Sequence, residues 1–349
     1  MDAAKVITGR MPASLAQTTV VVNGLFGAVS GAAVAAAAAV GNVMHGRMVK
    51  DGYDKRFAAA VNVASAPAGM LIPPSNTFIV YSLVSSTSIA ALFIAGVIPG
   101  ILWIVACMIV VHLYARKQPC KLKSQERVAF KDGLKIIWRA VPSLLMIVIV
   151  VGGVLGGYFT ATESASIAVV YCLILSMLYR TIKVKHLPGI LVDVSRTTAI
   201  VMLLVAVSTA LSFVMSFARI PDLIASSVLG LTESPAVVML ITVLILLAIG
   251  TFMDPTPAIL IFVPIFLPIA TELGIDPIHL GTATVMALSI GVITPPVGNV
   301  LFVGARVARL RIEPVISRLW PFLIAIVIAL FIVAYVLALS TWLPGVMGL

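Results

Sequence analysis

The chain has 349 residues, of which 61% are hydrophobic and only 10% are charged. A soluble globular domain carries about 25% charged residues, so this composition excludes an ordinary soluble enzyme and indicates a surface that mostly faces lipid. The net charge of +10 does not indicate a nucleic-acid-binding protein, because such a site needs one continuous basic surface. Here the Lys and Arg residues fall in clusters between apolar segments, which is typical of the cytoplasmic loops of a membrane protein.

The first part of the chain contains a broken apolar segment, an interrupted helix and a plain helix. The apolar segment 15–44 is broken in its middle at Gly27-Ala28-Val29-Ser30-Gly31, so we predict a helical hairpin. The next segment, 57–86, contains Pro73-Pro74, and two successive prolines unwind a helix because they lack backbone donors and clash with the preceding turn. With the plain helix 89–114, these segments form a predicted first unit over residues 1–115.

The middle of the chain separates this unit from a second one. Residues 116–139 are rich in Lys and Arg and are predicted to be a cytoplasmic basic loop, and residues 140–234 are predicted to be connecting or scaffold helices. Between two of those helices, Thr160 and Glu163 have the spacing of a capping box, in which each side chain binds the other residue's backbone N–H. We therefore interpret Glu163 as a structural residue.

The last part of the chain, 235–349, repeats the order of the first. The hairpin 235–271 is interrupted at Asp254-Pro255, the interrupted helix 278–305 contains Pro295-Pro296, and a plain helix covers 320–342. If both hairpins are re-entrant and do not cross the membrane, 22 of the 23 Lys and Arg residues lie on the cytoplasmic side and Arg219 alone lies outside. That bias favours the re-entrant arrangement, which also makes the two units inverted relative to each other.

The predicted fold class is therefore an all-α, polytopic inner-membrane protein with inverted repeats, two re-entrant helical hairpins and two Pro-Pro-interrupted transmembrane helices. Inverted repeats with paired discontinuous helices are the architecture of secondary transporters. The sequence contains no phosphate-binding loop, no His/Cys metal spacing and no nucleophile motif, so we expect that the protein is not an enzyme.

The Pro-Pro breaks and the hairpin tips are the candidate binding elements. A broken helix exposes backbone carbonyls that are tolerated at membrane depth only around a cavity. These oxygens suit a monovalent cation, whereas the N-terminus of the following half-helix favours an anion. The alternative is a proline kink that serves packing alone.

Two ionisable residues near these elements have two interpretations each. Asp254 is an acid at membrane depth, which is usually functional; the alternative is a helix N-cap ahead of Pro255. His279 lies near a predicted outer helix start, and we interpret it as a capping or packing residue rather than a proton relay.

Several motifs, in chain order, resemble one transporter family. They are Val29-Ser30-Gly31 with the Ala-rich stretch that follows, Gly52-Tyr53, Ile72-Pro73-Pro74-Ser75, Leu92-Phe93-Ile94-Ala95-Gly96, Phe159-Thr160-Ala161-Thr162-Glu163, Gly274-Ile275-Asp276-Pro277 and Ile293-Thr294-Pro295-Pro296-Val297-Gly298. They cover essentially the whole chain. On these motifs the sequence resembles the large membrane (permease) subunit of the tripartite ATP-independent periplasmic (TRAP) transporters.

The resemblance implies a sodium-driven, elevator-type importer in the bacterial inner membrane. Its substrate would be a small organic acid, such as a C4-dicarboxylate or sialic acid, and Na⁺ would be the coupling ion with no other cofactor. Its partners would be a small four-helix membrane subunit and a periplasmic substrate-binding protein. The implied sodium ligands, some through backbone oxygens, are Ser30, Gly69, Ile72, Ser75, Gly250, Gly291, Thr294 and Val297. The implied substrate contacts are Ser30, Asn76, Asp254, Thr256 and Asn299.

Two features depart from the family pattern. The first hairpin tip reads Ser30-Gly31-Ala32-Ala33, where the family commonly has Ser-Gly-Ser-Ser, and family members have about two further spans ahead of the matching segment. Two alternatives therefore stay open: a stand-alone inverted-repeat carboxylate or ion transporter, and a degenerate, non-transporting membrane fragment.

Overall fold

The structure, a computed structural model, describes residues 4, 8, 9, 11–117, 130–218 and 234–349. Within these ranges all regular structure is helical and no strand occurs, which confirms the predicted all-α class. Residues 118–129 of the predicted basic loop 116–139, and the predicted outer loop that carries Arg219, lie outside the described residues.

The helices of the first half lie close to the predicted segments. They are α1 (Ser14–Ser30), α2 (Ala33–Lys50), α3 (Lys55–Ser65), α4 (Asn76–Ser85), α5 (Ile89–Lys117), α6 (Phe130–Leu155), α7 (Ala161–Leu178) and α8 (Leu187–Phe217). A short 3₁₀ helix, Ala66–Met70, continues α3 towards the first Pro-Pro break, and another, Val184–His186, precedes α8.

The last part of the chain repeats the element order of α1–α5 and adds one short helix. Its helices are α9 (Pro235–Gly250), α10 (Pro255–Glu272), α11 (Pro277–Gly291), α12 (Asn299–Ala308), α13 (Ile312–Tyr335) and α14 (Ala338–Val346). The peptide bonds Pro73–Pro74 and Pro295–Pro296 are both cis.

Several described helices are long and apolar enough to cross a membrane. The five such segments are Ile89–Arg116, Ala161–Leu178, Val184–Leu211, Pro255–Glu272 and Ile312–Tyr335. The chain is therefore a multi-pass membrane protein. The segments in α7 and α8 have almost no buried residues, whereas those in α5, α10 and α13 are partly covered by other helices.

Local signals explain some of the observed helix starts. The Asp54 side chain accepts a hydrogen bond from the Arg56 N–H at the start of α3, and Asp276 accepts from the N–H groups of Ile278 and His279 at the start of α11. Such N-caps satisfy amides that a helix leaves unpaired. At the break between α1 and α2, Gly31 has φ +65°, a left-handed conformation that favours glycine.

The predicted capping box before α7 is present. The carboxylate of Glu163 accepts hydrogen bonds from the Thr160 N–H and hydroxyl, both at 2.8 Å, and the Glu163 N–H donates to the Thr160 hydroxyl at 3.3 Å. His279 is buried. Its Nε2 donates to the Ala334 carbonyl at 3.0 Å, and its Nδ1 lies 2.6 Å from the Ser340 hydroxyl. Both residues thus have structural contacts.

Several boundaries differ from the sequence-based expectation. α2 continues through the basic cluster to Lys50, and α6 begins at Phe130, inside the predicted loop. The predicted helix 320–342 begins earlier, at Ile312, and ends at Tyr335, and a separate helix, α14, follows it. Pro142 and Pro321 lie inside α6 and α13 without ending them. Prolines are tolerated in membrane helices because neighbouring groups satisfy the freed carbonyls.

The two halves make matching contacts. In each, the first hairpin helix packs on the first part of the interrupted helix: α1 on Ala66–Met70 and α9 on α11. The second hairpin helix packs on the last part of the other half's interrupted helix, α2 on α12 and α10 on α4. Finally, α3 packs on α13 and α11 on α5, and α5 and α13 pack on each other. The interrupted helices therefore lie between the two hairpins.

Candidate functional site

Two pairs of glycines allow close contact between the hairpin helices and the interrupted helices, next to the Pro-Pro breaks. An ideal Cβ placed on Gly69 would lie 2.1 Å from the Cα of Gly27, and one placed on Gly291 would lie 2.3 Å from the carbonyl carbon of Gly250. No real side chain fits at these distances, so each hairpin approaches its interrupted helix backbone to backbone. Three of the predicted ion-site residues, Gly69, Gly250 and Gly291, thus have a packing reason to be glycine.

The hairpin tips and the helix breaks line one cavity of about 120 Å³. A water molecule needs roughly 10–15 Å³ measured in this way, so the space is sufficient for a small ligand. The lining residues come from both hairpins and both interrupted helices: Gly31, Ala32, Ala33, Val34, Met70, Asn76, Thr77, Asp254, Pro255, Thr256, Val292 and Val300.

Four helices begin at this cavity, namely α2, α4, α10 and α12. A helix N-terminus carries partial positive charge and free N–H groups, so it favours anions. Three of the four lack a side-chain cap: no capping hydrogen bond is made by Ala32, Asp254 or Gly298. The first amides of α2 therefore have no side-chain partner, whereas α10 begins at Pro255, which has no N–H, and the Val300 N–H of α12 donates to the Val292 carbonyl at 3.0 Å. Among the lining residues no Lys, Arg or His is present, and Asp254 is the one charged residue.

A cluster of three oxygens lies beside the first break. The Ser75 hydroxyl donates to the Met70 carbonyl and lies 2.8 Å from the Thr77 hydroxyl, which also donates to Met70 at 3.1 Å. All three residues are buried. Ser75 additionally caps α4 by accepting from the Phe78 N–H. Hydroxyl and carbonyl oxygens in a compact group suit a hard monovalent cation.

The second break has a different set of oxygens. The Thr294 hydroxyl donates to the Ile290 carbonyl at 2.7 Å, which leaves its lone pairs free. The Gly298 N–H donates to the Thr251 carbonyl at 3.2 Å, so the tip of the α9–α10 hairpin is joined directly to this break. Thr294 and Val297 are half-buried here.

Asp254 occupies the N-cap position of α10, yet its side chain makes no capping hydrogen bond. Its carboxylate lies near the Asn299 side chain and the Thr256 N–H. Asp254, Thr256 and Asn299, three predicted substrate contacts, are thus grouped at the second hairpin tip. Asn76 lies opposite, next to Gly31 of the first tip, where an ideal Cβ on Gly31 would be 3.4 Å from the Asn76 Cβ.

Of the predicted site residues, Asn76, Asp254 and Thr256 line the cavity, and the others, including Ser30 and Ile72, are not among its lining residues. Ser30 is exposed, and its hydroxyl lies near the carbonyls of Gly27 and Ala32 at 3.5 and 3.4 Å. The Ile72 side chain packs towards Gly100 of α5, so any contribution it makes to an ion site is through its backbone.

The sequence did not lead us to predict Met70 or Thr77 as site residues. The signal for Thr77 was available, because Ser75 and Thr77 are hydroxyl residues two positions apart directly after a Pro-Pro break. Met70 had no sequence signal, since it takes part through its carbonyl and every residue has one.

Comparison with known proteins identifies the family. Residues 1–339 match the family described as "Tripartite ATP-independent periplasmic transporter, DctM component". The chain is 48% identical over 345 residues to the protein named "Uncharacterized protein YgiK" of Salmonella typhimurium, covering 99% of this chain and 79% of that protein.

Two further relatives carry functional names. The chain is 38% identical to the C4-dicarboxylate TRAP transporter large permease protein DctM of Pseudomonas aeruginosa, over 100% of this chain and 82% of that protein. It is 33% identical to the sialic acid TRAP transporter large permease protein SiaM of Vibrio cholerae, over 98% of this chain and 80% of that protein. The chain therefore belongs to the DctM family, the large permease subunits of the tripartite ATP-independent periplasmic transporters.

Proposed function

We propose that this chain imports a small organic acid across the bacterial inner membrane, driven by sodium influx. The observation that carries the proposal is the cavity onto which four helix N-termini converge without any Lys, Arg or His in its lining. Partial charges from backbone dipoles suit a carboxylate. The neighbouring oxygens of Met70, Ser75 and Thr77 on one side, and of Thr294 on the other, suit Na⁺.

The substrate class is a carboxylate of the size that the relatives carry, such as a C4-dicarboxylate or sialic acid. Sodium ions beside the cavity would add positive charge next to a bound carboxylate, so ion and substrate would each increase the affinity for the other. This reciprocal effect is the thermodynamic basis of coupling.

We also propose the membrane arrangement that transport requires. Residues 1–115 and 235–349 are inverted repeats, and the hairpins α1–α2 and α9–α10 are re-entrant and approach the membrane centre from opposite sides. The matching contacts of the two halves support this arrangement. The hairpins and interrupted helices form the moving part, and α6–α8 belong to the scaffold that meets the small membrane subunit.

Uptake in proteoliposomes tests the proposal. The permease and its small membrane subunit are reconstituted together, a periplasmic binding protein is added outside, and uptake of radiolabelled carboxylates is measured with and without an inward sodium gradient. We expect uptake that needs both the gradient and the binding protein.

The two alternatives give other results. Uptake that proceeds without binding protein indicates a stand-alone carboxylate transporter. A folded complex that takes up no carboxylate under any gradient, although it binds its small subunit, indicates a non-transporting assembly component.

A further inference from the structure

Buried side-chain hydrogen bonds join the first hairpin, α1–α2, to α3, the helix beside it. The Asn23 amide of α1 donates to the Ser65 hydroxyl at 2.8 Å and to the Asn62 side-chain oxygen at 3.1 Å, both on α3. The Asn62 amide in turn donates to the Ala37 carbonyl of α2 at 2.8 Å. All three side chains are at most 3% exposed. The Asn23–Asn62–Ser65 cluster therefore joins both arms of the hairpin to α3.

The same hairpin is also fastened to α5. The Gln17 amide of α1 donates to the Met108 carbonyl at 3.0 Å. The Trp103 ring N–H of α5 donates to the Ala64 carbonyl of α3 at 2.9 Å. The first hairpin, α3 and α5 are thus linked to one another by side-chain hydrogen bonds.

The second hairpin, α9–α10, lacks such contacts along its arms. Among the described residues, its polar contacts with other elements lie at its ends. At the tip, the Gly298 N–H donates to the Thr251 carbonyl and the Asp254 carboxylate lies near the Asn299 side chain; near the base, the exposed Tyr335 hydroxyl donates to the Ala236 carbonyl at 3.2 Å. Thr242 is buried in α9, but no hydrogen bond from it to another described element occurs. Elsewhere the arms touch their neighbours through apolar side chains and the Gly250–Gly291 contact.

In a membrane, the number of buried hydrogen bonds affects the free-energy cost of separating each hairpin from the helix beside it. Lipid chains are as apolar as the side chains that face them, so apolar helix contacts gain little from excluding lipid. A helix that leaves a buried hydrogen bond in hydrocarbon, in contrast, leaves polar groups without partners. Separating the first hairpin from α3 therefore costs more than separating the second from α11.

We infer that the two hairpins have unequal roles: the Asn23–Asn62–Ser65 cluster latches the α1–α2 hairpin to α3, and the α9–α10 hairpin is the gate that opens for ion and substrate exchange. The inference rests on the proposed transport function for the meaning of the opening. The inequality of the hairpins is a property of the folded chain and is measurable without transport.

Hydrogen–deuterium exchange in lipid nanodiscs measures hairpin opening directly. Without sodium, we expect amides near the second tip, 248–258, to exchange about 3- to 30-fold faster than those near the first tip, 24–34, since each polar contact between membrane helices is worth about 0.6–2 kcal/mol. Sodium should slow exchange at the second tip and leave the first unchanged. Equal exchange at both tips, or faster exchange at the first, overturns the inference.

Two variants test the latch itself. Asn62→Leu should speed exchange at the first tip towards the rate of the second, and the milder Ser65→Ala should do so in part. Thr242→Val is the matched control, because it removes a buried polar group from the other hairpin that has no hydrogen bond to a neighbouring element. If Ser65→Ala and Asn62→Leu both fold and leave the first tip unchanged, the cluster is not a latch. A failure of uptake with the expected exchange pattern contradicts the proposed function and leaves the inequality of the hairpins intact.

Discussion

Hydroxyl residues at the two Pro-Pro breaks differ in the hydrogen-bond partners of their oxygens. Ser75 and Thr77 share the Met70 carbonyl in a buried group of three oxygens. Thr294 donates to one carbonyl of its own helix, that of Ile290. A Thr hydroxyl has one proton and two lone pairs, so this bond leaves the oxygen able to bind a cation. The hydrogen bond to Ile290 by itself, however, fits a purely structural Thr.

Thr294→Val separates these two roles, because valine keeps the shape and removes the oxygen. If Thr294 binds sodium, losing one buried polar ligand should cost about 1–3 kcal/mol, or about 5- to 150-fold in the half-saturating sodium concentration of uptake. Sodium titration of uptake checks this, alongside thermal melting of the purified complex.

Thr282→Val is the matched control for this experiment. Thr282 lies on the same helix, α11, is buried and donates to the Ile278 carbonyl at 2.9 Å, but it is far from the break. It should alter stability and leave the sodium dependence as it is. The same outcome for Thr294→Val would remove Thr294 from the ion site.

At the scale of elements, the hairpins and interrupted helices meet through glycine pairs rather than side chains. The first part of each interrupted helix touches its hairpin at Gly27–Gly69 and at Gly250–Gly291. Small residues at helix crossings are the usual way for membrane helices to approach closely. The pairs lie next to the breaks and hairpin tips, so the closeness of these helices determines the width of the cavity.

Gly291→Ala should therefore destabilise the protein. Its methyl group would lie 2.3 Å from the backbone of Gly250, and the resulting overpacking should cost about 1–3 kcal/mol. Thermal melting in detergent checks the stability, and substrate affinity should fall with it because the second hairpin tip is displaced.

Gly46→Ala serves as the comparison for that variant. Gly46 is an exposed glycine of α2 with no atom within 4 Å of an added Cβ. Alanine there should be neutral or stabilise by about 0.5–1 kcal/mol. A melting temperature of Gly291→Ala equal to that of Gly46→Ala would contradict the close approach.

At the scale of the whole molecule, one ion pair brings together two basic clusters that are far apart in sequence. Arg318 of α13 lies 3.2 Å from the carboxylate of Asp54 at the start of α3. The charge bias assigned both clusters to the cytoplasmic side, and the ion pair places them at one end of the molecule. At α11, the Pro277 carbonyl accepts from the Tyr81 hydroxyl at 2.8 Å, which joins the other ends of the two interrupted helices.

Cysteine labelling tests the membrane arrangement. In a background without Cys107, Cys120 and Cys172, single cysteines replace Met11 or Lys50 on either side of the first hairpin, or Ser234 or Glu272 on either side of the second. A membrane-impermeant maleimide should label the first two only from the cytoplasm and the last two only from the periplasm. Labelling of either pair from opposite sides would mean that the hairpin crosses the membrane, and the inverted repeat would then be wrong.

The sequence by itself determined the all-helical class, the order of the elements and the positions of the breaks. These follow from short-range effects: Pro73-Pro74 and Pro295-Pro296 disrupt the helix in which they lie, whatever surrounds it. A capping box such as that of Thr160 and Glu163 depends on residues three positions apart. Long apolar runs identify the spans because about 20 apolar residues in a helix match the thickness of the hydrocarbon core.

Only the tertiary structure decided which oxygen atoms lie close together at the candidate site. Ser30 was expected at the site and lies exposed beside it, whereas Thr77 and the Met70 carbonyl are in the oxygen cluster. The links from Asn23 to Asn62 and Ser65 were likewise not predicted. The physical reason is that the rotation of each helix about its axis is set by packing against helices distant in sequence. That rotation decides which side chains and carbonyls face a shared cavity, and no local pattern records it.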